Sequence, residues 1–137
     1  MRLLATREHS RAELQRKLTA RGGEPESVDQ VLDALENRGY LSDMRYTEQY
    51  VTERKRKGYG PIRIRQELRE KGVAETVITL FLNSSDPEWW ELLQQTARRK
   101  FGAESPKDRK TQAKWARYLE YRGFAVEQIR DLLWKND

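Results

Sequence analysis

An all-α chain built from tandem three-helix repeats is the fold class this sequence predicts, on three observations. Apolar residues recur at helical spacing, and single glycines stop the runs. The trio Leu14, Leu18 and Gly22 returns as Ile64, Leu68 and Gly72 at an offset of 50, then as Trp115, Leu119 and Gly123 at an offset of 51. Runs that alternate apolar and polar residues with many β-branched side chains are absent, and the turn residues do not fall at hairpin spacing. A fixed period with helix pairs in matching positions is the signature of a repeat architecture.

Taken in order, the first helix begins at Ser10, where Ser10 and Glu13 match a capping box, each side chain placed to satisfy the other's free N–H. Leu14 and Leu18 share its inner face, and Gly22 and Gly23 end it. A second helix follows Pro25 with Val28, Val31, Leu32 and Leu35 as its apolar stripe, ending near Gly39. Ser42 or Asp43 caps a third, which turns Met44, Thr47, Tyr50 and Val51 inward and runs into Arg54–Lys57. The turn Gly58–Pro61 leads into the next helix, with Pro61 at the first position, where no N–H is needed.

After each repeated glycine comes a short apolar helix: Val28–Leu35, Val77–Leu82 and Val126–Leu133. The basic end at Arg54–Gly58 has its counterpart at Arg98–Gly102, and the longest connection, Ala103–Arg109, holds Pro106. The predicted repeats span residues 1–41, 42–85 and 86–137 and stack into an elongated, curved array. Met1–Arg7 is too short for a full leading helix in the first, which suggests either a degenerate repeat or a chain that begins inside a longer natural protein.

Charged and hydrophobic residues each make up 36% of the chain, a balance suited to thin helical layers with large solvated faces rather than one thick core. No cysteine is present, which excludes disulfides and thiolate metal sites. No apolar run approaches the roughly 18 residues of a membrane span, and the opening residues are too charged for a secretory signal. A soluble, cytoplasmic protein is therefore expected.

The charge is segregated. Residues 54–72 hold eight cations and two carboxylates, for +6 against +5 for the whole chain. Residues 98–114 sum to +5 and residues 1–23 to +4, whereas residues 24–48 sum to −5. Recurring cations near the end of each first helix and along each second suggest a basic stripe for an anionic partner: Arg54, Arg56, Lys57, Arg63, Arg65, Arg98, Arg99, Lys100, Arg109 and Lys110. The competing account is a set of cations scattered round each helix that merely solvates it. Tyr59, between two glycines beside Arg56, Lys57 and Arg63, either stacks on a base or plugs its own turn, and the second role is favoured because helix junctions need such plugs.

Trp89 and Trp90 point roughly 100° apart on a helix, so one enters the core and the other sits near a boundary. Trp115 aligns with Leu14 and Ile64 and reads as core, and Trp134 reads as packing the C-terminal end. His9, the only histidine, has no companion for a transition-metal site and reads as solvated or capping. Asp29, Asp33 and Glu36 lie along a solvent-facing helix side. With no nucleophile–base pair and no glycine-rich phosphate loop, neither an enzyme nor a cofactor is expected.

Residues 37–73 resemble the RecX family of bacterial recombination regulators, through the Gly39–Asp43 turn and the Gly58–Gly72 segment GYGPIRIRQELREKG. HSRAELQRKL at residues 9–18 is similar to the family's first repeat and LEYRGF at 119–124 to its last. The family usually carries an N-terminal extension where this chain starts. The chain is expected to be a monomer, and the resemblance implies three tandem three-helix repeats and a non-enzymatic partner of the RecA filament on single-stranded DNA. There it would suppress strand exchange, ATP hydrolysis and co-protease activity. Two other readings stay open: a general DNA-binding helical protein competing for single-stranded DNA, with Arg63 and Arg65 in the first turn of a base-reading helix, and a scaffold indifferent to DNA.

Overall fold

The computed structural model describes residues 7–134. Among the described residues there are eight helices and no strand, so the all-α prediction holds. They are α1 (Arg11–Ala20), α2 (Pro25–Asn37), α3 (Asp43–Arg56), α4 (Pro61–Glu70), α5 (Glu75–Phe81), α6 (Glu88–Phe101), α7 (Arg109–Arg122) and α8 (Val126–Trp134). The expected shortening of a leading helix before α1 concerns residues that lie outside those described. The chain divides into two compact units. One takes the residues up to Val51 together with Glu67–Phe81, and the other takes Thr52–Gln66 together with Leu82 onward. The middle repeat is thus shared, its two halves serving different units.

In the first unit, Ser10 caps α1, its hydroxyl accepting from the Glu13 N–H at 3.1 Å. The reciprocal arm of the capping box gives way to stronger partners, because Arg7 donates to both Glu13 carboxylate oxygens at 2.9 and 3.1 Å and Lys71 lies 3.6 Å away. Burial alone would raise the Glu13 pKa, but these cations hold it below the usual carboxylate range. Leu14, Val28, Leu32, Leu35 and Leu41 form the core, with Leu18 packed against it. Val31 departs from its predicted place and is 43% exposed, since it flanks the stripe that Val28, Leu32 and Leu35 fill.

Ser42 rather than Asp43 caps α3, accepting from the Arg45 N–H, while Asp43 accepts from the Arg11 N–H at 2.8 Å. The inner face of α3 is Tyr46, Thr47 and Val51 with half-buried Tyr50. Met44, expected inward, sits roughly 200° round the helix from Tyr46 and is exposed. Asp29, Asp33 and Glu36 do lie on the solvent side of α2, and all three converge on the Arg11 guanidinium.

His9 overturns its solvated reading, being 1% exposed. Its Nδ1 lies 3.1 Å from the Arg7 carbonyl and its Nε2 3.1 Å from Lys17 Nζ. A carbonyl only accepts and an ammonium only donates, so the ring is neutral, with the proton on Nδ1. Burial lowers the His9 pKa, and the charges of Arg7 and Lys17 lower it further.

The second unit is built round the bundle of α6, α7 and α8, whose core is Leu93, Ala97, Trp115, Leu119, Phe124, Ile129 and Leu133. Of the adjacent tryptophans, Trp89 is buried with its indole N–H donating to the Asn83 carbonyl at 2.8 Å, and Trp90 is half-buried. Trp115 is core as its alignment implied, stacked on Phe101 at 4.7 Å. Trp134 is less enclosed than expected: it is exposed, and its indole N–H donates to Gln112 Oε1 at 2.6 Å.

Each unit contains one junction of the same design, in which the start of one repeat's second helix meets the end of the next repeat's second helix. In the first unit the Ser10 hydroxyl donates to the Lys71 carbonyl at 2.7 Å, and Arg16 donates to the Glu70 carbonyl at 3.1 Å. In the second unit the positions 50 and 51 residues on repeat the contact with backbone alone. Gly60 N–H donates to the Arg122 carbonyl at 2.8 Å, and Ile62 N–H to the Gly123 carbonyl at 3.0 Å. Glycine is required where each junction is tightest. A Cβ on Gly72, which has φ +78°, would overlap the Ala12 Cβ, and one on Gly60 would overlap the Gly123 carbonyl.

Gly72→Val is expected to destabilise the protein by about 2–5 kcal/mol, from the left-handed backbone and the overlap with Ala12 together. Thermal melting checks this, and an unchanged curve would refute the junction. His9 sets a second expectation. Because its folded pKa is lowered, the unfolded chain takes up the proton first as pH falls below about 6.5, so stability should drop there and recover above it. His9→Gln, which keeps a donor and an acceptor, should flatten that part of a denaturation-versus-pH profile.

Candidate nucleic-acid interface

All eleven residues singled out for an anionic partner fall in the second unit. Their contacts divide them into residues gathered round Tyr59 and Tyr118 and residues with partners of their own. The glycine-rich turn between α3 and α4 folds Tyr59 back against its own helix, with its N–H donating to the Arg54 carbonyl. Three guanidinium carbons surround the Tyr59 ring: Arg54 at 3.8 Å, Arg122 at 4.0 Å and Arg63 at 4.5 Å from its centroid. Each such contact is worth about 0.5–2 kcal/mol according to its desolvation. Together they concentrate three positive charges round one half-buried ring, a standing attraction for an anion. Tyr59 thus both plugs the turn and gathers the cations.

Arg122 is the member that the stretch 54–72 cannot reveal, because it comes from the far end of α7. Its Nε donates to the Gly58 carbonyl at 3.2 Å and its Nη2 to the Lys57 carbonyl, so it caps the end of α3. On α7, Tyr118, Tyr121 and Arg122 lie at spacings of three and four and share one face. Arg63 donates to the Tyr121 carbonyl at 3.2 Å and its guanidinium stands 4.9 Å from the Tyr121 ring centre. Lys100, at the end of α6, places Nζ 5.3 Å from the Tyr118 ring centre, and Arg122 lies 5.7 Å from that ring. Tyr118 is steadied in turn by an edge-on contact with Phe101 at 5.4 Å. The structure therefore brings together Arg54, Tyr59, Arg63 and Lys100 and adds Tyr118, Tyr121 and Arg122. The only sequence signal for those three was the interleaving of aromatic and basic residues in Arg117–Arg122.

The side chains of the remaining candidates have other surroundings on the same unit. Arg56 is exposed and pairs with Glu53, with Nη2 2.5 Å from Oε1, which holds the Glu53 carboxyl below its ordinary range. Lys57 is exposed, 3.9 Å from the same carboxylate. Arg65 donates to the Leu82 carbonyl at 3.1 Å. Arg98 lines a cavity of about 160 Å³ with Trp115, Leu132 and Ala103, and Arg99 is exposed beside it in sequence. Arg109 and Lys110 are exposed at the start of α7, roughly 20 Å along the helix from Arg122. Lys55 was not singled out, and it spans Glu88 at 3.2 Å and the Trp89 ring at 4.8 Å.

No cluster of three metal-ligating side chains occurs among the described residues. No described helix is long and apolar enough to cross a membrane. The arrangement offers fixed positive charge, hydrogen-bond donors and one well-exposed aromatic face, which suit a polyanion with planar groups.

Comparison with known proteins places the chain. It matches the models of the first, second and third three-helix domains of RecX, in that order, over residues 1–35, 42–80 and 86–133. It is 48% identical over 133 residues to the regulatory protein RecX of Pseudomonas tolaasii, covering 97% of this chain and 86% of that protein. Against the regulatory protein RecX of Pseudomonas syringae pv. tomato the identity is 44% over the same length and with the same coverage. A crystal structure of a regulatory protein RecX superposes with a TM-score of 0.79 at 26% identity, over 98% of this chain and 67% of the other. The crystal structure of RecX from Lactobacillus salivarius gives 0.80 at 19% identity over 98% and 89%, which bears on the fold alone. With three domain models matched in sequence order and close relatives aligned over nearly its whole length, the chain belongs to the RecX family.

Proposed function

We propose that this protein regulates homologous recombination and DNA repair by binding the RecA filament on single-stranded DNA. It inhibits the recombinase, ATPase and co-protease activities of RecA, acting as a cytoplasmic monomer and not as an enzyme. The observation that carries this reading is the ordered match to all three RecX domains across nearly the entire chain. The charge distribution supports it. The second unit gathers its cations round Tyr59 and at the ends of α3 and α6, while the first exposes the acids of α2. Two surfaces of opposite sign suit a partner that is itself a protein wound on a polyanion. Several modest contacts of this kind raise affinity together without any one strong site.

A second reading, competition for single-stranded DNA itself, draws on the same basic and aromatic surface. Titrating the protein into RecA's DNA-dependent ATP hydrolysis, beside its binding to bare single-stranded DNA, separates the two. The filament reading expects inhibition at protein concentrations too low to coat the DNA. Inhibition that sets in only as the bare DNA saturates would establish competition instead.

Charge reversal at Arg56 and Lys57 tests the basic surface. Both are exposed, and losing their contacts with Glu53 costs little stability, because solvent screens exposed ion pairs. Arg56→Glu with Lys57→Glu should raise the concentration needed for half-inhibition severalfold at an unchanged melting temperature. Equal inhibition by the folded double variant would remove the end of α3 from the interface.

A further inference from the structure

Among the described residues, the most exposed large hydrophobic side chain of the second unit is an aromatic one set among cations. Tyr121 is 71% exposed near the end of α7, yet its backbone and ring are both held by Arg63. A tyrosine left in water on a helix surface ordinarily samples several rotamers. Here the guanidinium beside the ring limits that freedom and leaves most of the aromatic surface open. Arg122 follows it in sequence, tied to the end of α3, and Tyr118 lies one turn back under Lys100. An exposed π face with one guanidinium beside it and further cations on neighbouring turns is a combination that binds unpaired bases, since every base has a face to stack and every nucleotide a phosphate to neutralise.

We propose that Tyr121 is a base-stacking platform for single-stranded nucleic acid, with Lys100 as a phosphate contact. This rests on the proposal that the basic and aromatic surface of the second unit meets single-stranded DNA, and names the ligand chemistry of that surface. Single strands are favoured over duplex because a flat aromatic face on a helix meets a base only where that base is free of its pairing partner. Arg122 is a positioning residue in this scheme, since its guanidinium is held by the Lys57 and Gly58 carbonyls and fixes the α7 end against α3. Arg63 acts by holding the ring.

Fluorescence anisotropy with a labelled oligo-dT, repeated with a duplex of equal length, tests the inference on the full chain. Tyr121→Ala should weaken oligo-dT binding at least about fivefold, while Tyr121→Phe and Tyr121→Trp retain it. The salt slope should not change in Tyr121→Ala, because no phosphate contact is lost, whereas Lys100→Gln should reduce it by about 0.7. Tyr121 is exposed and outside the core, so all four variants should melt like the parent. Oligo-dT affinity unchanged by Tyr121→Ala, a parent that binds duplex as tightly as single strand, or a parent that binds neither would each overturn the proposal. RecA ATPase inhibition, read in parallel, keeps the two readings distinct. A parent that binds oligo-dT through Tyr121 but leaves RecA unaffected upholds the stacking platform and defeats the filament reading. Inhibition that survives with no Tyr121-dependent binding does the reverse.

Discussion

Close approach of a glycine backbone to the facing helix at the repeat junctions is the constraint on which the rest of this structure depends. Gly60 lies so near the Gly123 carbonyl that no side chain fits, and Gly72 lies equally near Ala12. Such contacts bring carbonyl groups at a helix end, which have no partner within their own helix, within reach of donors from the start of another. One junction uses the Ser10 hydroxyl and the other the Gly60 and Ile62 N–H groups. The same acceptor position is satisfied by two different chemistries, which shows that the repeat keeps a geometry rather than a residue. It also explains why the compact units cut the middle repeat in two: each unit joins a full terminal repeat to the half of the middle one that it grips.

The candidate interface follows from the second of these junctions. Where Gly60 meets Gly123, the end of α7 lies against the turn after α3, and Arg122 lands beside Tyr59. Without that approach, Arg54 and Arg63 would flank a tyrosine in an ordinary turn. With it, a third guanidinium arrives from a residue more than sixty positions away, and Tyr118 and Tyr121 come with it. Arg122 therefore has two consequences at once, capping α3 and adding charge to the surface. A mutation there would not separate structure from binding, whereas Tyr121 and Lys100 stand far enough from the core to do so.

The electrostatics of the first unit have a different character. Arg11 collects three acids of α2 while its backbone N–H binds Asp43, and Arg7 and Lys71 compensate the buried Glu13. These cations are engaged within the fold, so the net positive charge of residues 1–23 is a poor guide to what a partner meets. The segment adds to the basic total of the chain, yet part of that charge serves to neutralise acids brought in by folding. Buried His9, neutral between a carbonyl and an ammonium, extends the same network.

The all-helical class, the period, the glycine stops and most of the core were legible in the sequence, because helix formation and termination depend on residues within a turn of one another. Trp115 as core and the split between Trp89 and Trp90 followed from periodicity and alignment alone. Val31 and Met44 were misplaced because an amphipathic stripe tolerates either edge, and only the packed neighbour decides which edge is covered. His9 was misread for a related reason: its burial is completed by the Arg7 carbonyl and by Lys17 on the next turns, partners that spacing alone does not select. The cation pattern singled out residues of one unit but could not foresee which of them cluster, since charge is local in sequence whereas proximity is not. What the residues determined by themselves was which segments are helices and where each one stops. What only the tertiary structure decided was which helix end meets which helix start, and hence that Arg122, Tyr118 and Tyr121 join Tyr59, because contacts across sixty residues are set by the packing of whole helices and leave no local trace.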